Sequence, residues 1–418
     1  MKELTSNNNR KTFQFRLYPT AEQEIALDAV LWRCRDLYNG ALHERREAYR
    51  LGHKSLSYYD QQNELPAVKT AVPEYKAIHS QVLQDVLRRV DRAFQGFFRR
   101  VQAGRPPGYP RFQGRNRYHS LTYPQYGNGA HLDYTDGRWG TLTLAKLGTF
   151  RVRVHRPIAG VIKTVTIRRA ADQWYVTFSC ALDVEPAPTQ PPDAAVGIDL
   201  GLLHFAVLST GEQIDNPRYF RRAQKRLAAA QQKLSRGQKR RRGQPSSKRR
   251  EQARLQVARA HRKVRHQRAD FHHKLARRFV AEYGVIVFEA LEIANLTRRP
   301  KGKVDADKSA EAGATVYAPN GAAAKAGLNK AILDAGWRAF QQMCVSKAAW
   351  AGRTVVFVNP AFTSQTCSEC GAIQKMPLVE RVYSCPVCQL ERDRDHNAAL
   401  NILRAGKRAC TETPARPV

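Results

Sequence analysis

The stretch AVGIDLGLLHFAVLSTGEQI, residues 195–214, decides how the second half of this chain is to be read. It spells strand, turn, strand, with Gly211 turning the chain into a third strand. Asp199 stands at the end of the first, apolar run. Burying a lone carboxylate is costly, so an acid there calls for an explanation. The plain one is a turn residue. Further on, GVIVFE (284–289) is a short, almost wholly apolar run of the kind found in fully buried parallel strands, and it too ends in an acid, Glu289. Near the far end, SCPVCQLERDRDHNAALNI (384–402) leads into a last helix and carries Asp393 and Asp395 among arginines.

Taken one at a time, these acids have bland readings: a turn residue, a strand-end charge, a helix N-cap. Taken together, a hairpin start, a later buried strand ending in Glu and a final helix opening with Asp are the parts of an RNase H-like sheet. Such a sheet brings three acids to one edge. At neutral pH they would repel one another unless divalent cations sat among them. Hard oxygen ligands suit Mg²⁺ or Mn²⁺, and a pair of such ions supports phosphodiester cleavage.

The eight cysteines fall into two groups. Cys34, Cys180, Cys344 and Cys410 are scattered singly. Cys367, Cys370, Cys385 and Cys388 form CSEC-x14-CPVC, two CxxC pairs that supply four thiolates for a tetrahedral Zn²⁺. Four cysteines leave no open coordination position, so this site is expected to be structural. It would fold a segment with few apolar residues of its own. The spacing is not that of a disulfide framework. With no secretion signal in MKELTSNNNRKT, a reducing cytoplasm is expected.

A chain of 418 residues exceeds the usual single-core limit, and 42 % hydrophobic content supports real cores. The net charge of +34 points to a polyanionic partner, nucleic acid first. A membrane surface is the rival, but no apolar run approaches the length of a spanning helix. Residues 218–278 read as two long helices joined by RGQKRRRGQPSSKRR; they hold 23 Lys and Arg against only Glu251 and Asp270. The proline-rich EPAPTQPPDA (185–194) precedes this half as a linker. Residues 298–327, poor in apolar side chains, read as a flexible loop, followed by a helix over 328–351 and a strand over 354–359.

In the first half, TFQFRLY (12–18) alternates as a half-buried strand, and Thr20 with Gln23 makes a capping box for a helix over 21–50. A second long helix is expected over about 77–102, with Val82, Val86, Val90, Phe94 and Phe97 on one stripe. RPPGYPRFQGRNRYHSLTYPQYGNG (105–129) reads as a loop whose basic-aromatic mix suits nucleic-acid stacking. Strands follow to about 187, including a hairpin with Trp174, Val176, Phe178 and Cys180 on one face. A small β-barrel completed by the distant N-terminal strand explains this order, with the helices as an insertion in it.

GIDLG, VFEALEIANL, DAGWRAFQQMCVSKAAWAG and FTSQTCSECG…YSCPVCQLERDRDHNAALNI resemble the TnpB (OrfB) family of insertion-sequence-encoded proteins, small relatives of type V CRISPR effectors. The likeness is dense over about 195–404 and weaker in the first half, in FRLYPTAEQE and LQDVLRRVDRAFQGFF. It implies an α/β, multidomain protein: an RNase H-like (RuvC) nuclease domain over 195–360 and 389–404, interrupted by a zinc ribbon at 361–388. It also implies a split β-barrel wedge domain (1–20 and 104–187) carrying a helical recognition insertion (21–103), a linker at 188–194 and a flexible tail at 405–418.

The implied activity is RNA-guided, Mg²⁺- or Mn²⁺-dependent DNA cleavage beside a short adjacent motif. Asp199, Glu289 and Asp395 match the catalytic acids, and Cys367, Cys370, Cys385 and Cys388 the zinc ligands. The partners are a guide RNA and target double-stranded DNA. The basic segment becomes a backbone-binding surface, with Arg221, Arg222, Lys225, Lys239, Arg240, Arg241, Lys248 and Arg249 as contacts. Tyr58 and Gln84 are candidates for reading the adjacent motif, Arg392 and Arg394 for meeting phosphates, and Asp393 for a supporting role. The alternatives are a miniature type V CRISPR-associated effector, an RNA-guided DNA-binding regulator that does not cut, and a transposase acting without RNA.

Overall fold

The computed structural model describes residues 10–114, 117–135, 137–182, 193–237, 247–304, 314–315, 317–377 and 379–412. The chain divides into two compact units, 1–185 and 186–418.

The first unit opens with β1 (Arg10–Tyr18), whose Phe13, Phe15 and Leu17 are buried on one face. The capping box forms: the Gln23 N–H donates to Thr20 Oγ1 at 3.3 Å, and the Thr20 N–H donates to Gln23 Oε1 at 3.0 Å. It starts α1 (Ala21–Gly52), which buries Leu27, Leu31, Cys34, Tyr38 and Leu42. Two short helices that the sequence pattern does not announce follow, α2 (Tyr58–Asn63) and α3 (Leu65–Ala71). The second long helix, α4 (Ser80–Gln102), begins later than expected because Pro73–Ala77 closes instead as a 3₁₀ turn.

Six more strands complete a seven-stranded antiparallel sheet: β2 (Ser120–Tyr123), β3 (Ala130–Asp133), β4 (Gly140–Leu144), β5 (Gly148–Arg153), β6 (Val161–Ala170) and β7 (Gln173–Ala181). Their order is β2-β6-β7-β1-β5-β4-β3. The N-terminal strand thus sits between strands more than a hundred residues away, pairing Phe13 with Phe178 and Leu17 with Val152. β2 lies within the stretch expected to be all loop. Arg89 explains its placement: from α4 it donates to Ser120 O (2.8 Å) and Thr122 Oγ1 (2.9 Å) while paired with Asp85. The hairpin residues Trp174, Val176, Phe178 and Cys180 are all buried, as their alternation requires.

The second unit is built on β8 (Ala195–Asp199), β9 (His204–Leu208) and β10 (Gln213–Asp215), an antiparallel run. Two basic helices follow, α5 (Tyr219–Arg236) and α6 (Lys248–Glu282). β11 (Val285–Glu289) then lies parallel to β8. A single turn, α7 (Ile293–Leu296), and a two-residue pair, β12 (Lys303–Val304) with β13 (Tyr317–Ala318), come next. The expected single helix over 328–351 is two, α8 (Ala322–Ala335) and α9 (Trp337–Ala351), broken where Gly336 takes φ +67°. β14 (Thr354–Val358) adds a second parallel neighbour to β11. After the ribbon hairpin β15 (Val382–Ser384) and β16 (Glu391–Asp393), α10 (Arg394–Glu412) ends the described chain. Residues 405–412, expected in a loose tail, are its last two turns.

The sheet order is β10-β9-β8-β11-β14. Phe205, Phe279, Phe288 and Phe340 fill one side of it. On the other side α10 lies against the strands, with Ile402 packed on Val287 and Val358. Two glycines permit the close approach. A Cβ on Gly197 would stand 2.2 Å from the Ala399 carbonyl oxygen, and one on Gly406 would stand 2.4 Å from Val287 Cγ2.

Candidate functional site

Three elements deliver three acids to one end of this sheet. Ile198 of β8 is in register with Phe288 of β11, so Asp199 and Glu289, each one residue on, leave adjacent parallel strands at the same edge. Asp395 comes from the first turn of α10, which packs on β8. The electrostatics show the meeting. Burial, and then the charges of Glu289 and Asp395, push the Asp199 carboxyl well above the usual carboxylate range. Burial also raises Glu289, while a hydrogen bond from Thr363 draws it part of the way back. Asp395 is raised by burial and by Asp393, against the pull of Arg381, Arg394 and His204. The nearest of these cations, Arg381, holds a guanidinium nitrogen 3.8 Å from Asp395.

The supports of these acids were not visible in the sequence. The Thr363 hydroxyl donates to Glu289 Oε1, and Gln341, buried in α9, donates to the Glu289 main-chain oxygen at 3.2 Å. Asp393 is the N-cap of α10: its Oδ1 accepts the His396 N–H at 2.9 Å. The two neighbouring acids therefore divide. Asp393 is exposed and spends its carboxylate on the helix end, while Asp395 turns toward Asp199.

The four ribbon cysteines are brought together. Their sulfurs all lie within 4.8 Å of one another, with Cys367–Cys388 at 3.6 Å and Cys370–Cys385 at 3.5 Å. Tetrahedral Zn²⁺ with bonds of about 2.3 Å has sulfur edges of roughly 3.8 Å, so the set fits that ion. Each half is the same backbone knuckle. The N–H four residues after the first cysteine returns to that cysteine's carbonyl, Gly371 to Cys367 (3.1 Å) and Gln389 to Cys385 (3.0 Å). The cysteine N–H reaches one residue further, Cys367 to Ala372 O (2.8 Å) and Cys385 to Leu390 O (2.9 Å). Both turning residues have positive φ, +81° at Gly371 and +60° at Gln389. Among the described residues this is the one group of three or more His, Cys, Asp or Glu side chains gathered closely enough to hold an ion.

The knuckle and the acid edge share a support. Asn397 Oδ1 accepts the Ser368 N–H (2.9 Å), and Asn397 Nδ2 donates to Thr366 O (2.8 Å). One turn on, Asn401 donates to Thr363 O (2.9 Å) and Thr366 O (2.6 Å), and Arg404 reaches Ser368 O. This polar row on α10 fastens the turn segment that carries both Cys367 and the Thr363 hydroxyl on Glu289.

A family model described as "Probable transposase" matches residues 177–299, and one described as "Cas12f1-like, TNB domain" matches 337–402. The chain is 33 % identical over 399 residues to "Putative RNA-guided DNA endonuclease InsQ" of Escherichia coli (strain K12), covering 95 % of this chain and 92 % of that protein. It is 35 % identical over 407 residues to a "Putative RNA-guided DNA endonuclease" of Streptomyces pristinaespiralis, covering 95 % and 89 %. The chain belongs to the TnpB (OrfB) family. Its fold is like that of "Cryo-EM structure of the Cas12f1-sgRNA-target DNA complex", with a TM-score of 0.54 at 14 % identity over 95 % of this chain and 99 % of that one. A "Helix-turn-helix domain" model also matches residues 9–54. Among residues 10–54 this TnpB-family chain has instead a strand and one unbroken helix, Ala21–Gly52.

The expected nucleic-acid residues fare unequally. Arg221, Arg222, Lys225, Lys248 and Arg249 are exposed on α5 and α6; Lys239, Arg240 and Arg241 lie outside the described residues. Arg221 and Arg222 line a cleft of about 500 Å³ with Leu203, Asp215, Asn216 and Arg218. Gln84 is half-buried. Tyr58 is 8 % exposed. Its ring is buried below the Arg88 guanidinium at 5.1 Å, and its neighbour Tyr59 is the exposed one. Arg392 and Arg394, expected to face phosphates, are committed to the ribbon. Arg392 donates to Ser368 Oγ (2.6 Å) and pairs with Glu369, and buried Arg394 donates to Pro377 O (3.1 Å).

Proposed function

We propose that this protein is the RNA-guided DNA endonuclease of a transposable element, acting in the cytoplasm on double-stranded target DNA. The observation that carries this reading is the convergence of Asp199, Glu289 and Asp395, from three distant segments, on one edge of the mixed five-stranded sheet. That sheet, with three antiparallel strands followed by two parallel ones, is what an RNase H-like (RuvC) domain requires. The names of its relatives supply the guided activity.

The donor set fits Mg²⁺ or Mn²⁺. It is three carboxylates whose ionisation is opposed by burial and, at Asp199, by the charges of the other two, which divalent cations would relieve. Bound ions of this kind supply charge stabilisation at the attacking and leaving oxygens of a phosphodiester. The protein's own contribution is orientation. β8 and β11 set two carboxylates side by side, Thr363 fixes the rotation of Glu289, and the capped start of α10 aims Asp395 at them. The cysteine cluster, with no open position once filled, holds Zn²⁺ structurally.

The rest of the chain is read accordingly. The seven-stranded sheet is the wedge barrel, residues 21–103 the recognition insertion, and the exposed cations of α5 and α6 bind the phosphate backbone of guide RNA and heteroduplex. The test is cleavage of a plasmid bearing the target and its adjacent motif by purified protein, with and without the element's RNA. Target cutting that appears only with RNA and Mg²⁺ is expected. Cutting indifferent to RNA sinks the guided reading, and target binding without any cutting favours a regulator.

A further inference from the structure

The first unit has an exposed aromatic feature. The C-terminal end of α4 and the loop after it carry a cluster of rings. Tyr109 meets Phe94 and Phe97 edge-on, with centroids 5.8 Å and 5.2 Å away, and Phe97 meets Phe98 at 5.1 Å. Phe112 approaches His43 at 6.5 Å. Phe98, Tyr109 and Phe112 remain 54 %, 45 % and 46 % exposed. Rings of this size normally bury more of themselves.

The loop that presents them is clamped at both ends. Arg100 donates from Nε to Pro107 O and from an Nη to Gly108 O, both at 2.7 Å. Asn39 of α1 grips Gln113 twice, accepting its N–H at 2.7 Å and donating to its carbonyl at 3.0 Å. Between the clamps, the Arg46 guanidinium lies 5.3 Å from the Phe112 ring and 5.9 Å from Tyr109. Residues 99–114 add four arginines and no acid, and the nearby Glu47 is paired with Arg50.

We infer that Phe98, Tyr109 and Phe112, with Arg46, form a stacking platform for unpaired nucleobases of a single strand. A protein partner would want a continuous apolar patch, and cations break this one up. Every base offers a π-face to rings and guanidinium planes, and its phosphates suit the surrounding arginines. Holding the loop rigid before binding lowers the ordering cost of the complex.

The test uses the full chain and no cleavage, so its outcome is separable from that of the nuclease reading. Affinities are measured by fluorescence anisotropy for an oligo-dT strand, an oligo-rU strand and an abasic strand of equal length. The double variant Tyr109→Ala/Phe112→Ala leaves both clamps in place. It is expected to lose about ten- to a hundredfold in affinity for base-bearing strands. Binding of the abasic strand, with its salt dependence, should stay unchanged, and Tyr109→Phe should keep full affinity. Loss confined to the RNA or to the DNA strand identifies which source of bases the platform takes. Equal loss on the abasic strand overturns the proposal. So does unchanged affinity, including the case where the variant alters the mass in solution, which would mean that a second copy covers the rings.

Discussion

Two candidate ligand sets in the second unit are built differently: the four cysteines come from one short segment, 367–388, and the three acids from distant stretches of chain. The thiols are gathered, with sulfurs within 4.8 Å of one another, because two identical backbone knuckles aim them inward. Backbone hydrogen bonds alone finish the cysteine site, whereas strand register and a helix start set the acid site. There Asp199 is raised by burial and by the charges of Glu289 and Asp395, while burial is the leading cause at the other two.

Removing any one acid tests this contrast most severely. Asp199→Ala, Glu289→Ala and Asp395→Ala should each lower target cleavage by about 10³-fold or more while RNA binding survives. An acid whose loss leaves cleavage within tenfold does not belong to the set. Next comes the finished site. Wild type should carry one zinc per chain by elemental analysis, and Cys385→Ser should lose it, lower the melting temperature by ~10 °C and cost cleavage as well. The last effect follows from Asn397 and Asn401, which hold on the last helix the one segment that carries both the first knuckle and Thr363, the partner of Glu289. Lost zinc with normal cleavage would show the two sites to be uncoupled.

The third prediction is a pH dependence. The folded chain holds the Asp199 proton more tightly than the unfolded chain does. Wild-type stability is therefore full below the unfolded carboxyl value near 4 and falls as pH rises from there through the folded value. Asp199→Asn does not titrate. In metal-free buffer it should be equal to wild type near pH 3 and more stable above pH 4, by about 1.4 kcal/mol per pH unit within that window. Added Mg²⁺ should narrow the gap by compensating the wild-type carboxylate. Melting curves across pH that run parallel for the two proteins would mean the acids are not under mutual strain. The smallest effect belongs to Asp393→Ala. Loss of a helix cap should cost about 1 kcal/mol of stability and only a few-fold in cleavage. A loss as deep as that of Asp395→Ala would erase the division between the two neighbours.

The strands and their terminal acids were legible because alternation and apolar runs survive in one dimension: Phe13, Phe15 and Leu17, or VIVF before Glu289. The cysteine spacing was legible because a knuckle is a local object. What the sequence hid depends on partners. β2 looks like loop because its pairing with β6 and its hold by Arg89 are remote in sequence. Tyr58 is a candidate reader through the family resemblance, and nothing local says that its ring turns inward below Arg88. Arg392 and Arg394 sit beside an acid and look free, yet Ser368, Glu369 and Pro377 claim them. Gly336 inside an apolar helical pattern gave no sign that it would take positive φ and split the helix.

Gly197 and Gly406 let the last helix lie almost on the bare strands, and that closeness bears on biogenesis. Asp395 is made 196 residues after Asp199, which at ribosomal speeds of 5–20 residues per second is roughly 10–40 s. Until that helix docks, the nascent protein carries two acids on a sheet whose second face is bare. A ribosome-bound chain stopped short of residue 394 should therefore neither cut nor protect its central strands from proteolysis. On the proposed reading, cleavage would be coupled to the completion of the protein's own core, because the last acid arrives with the last helix.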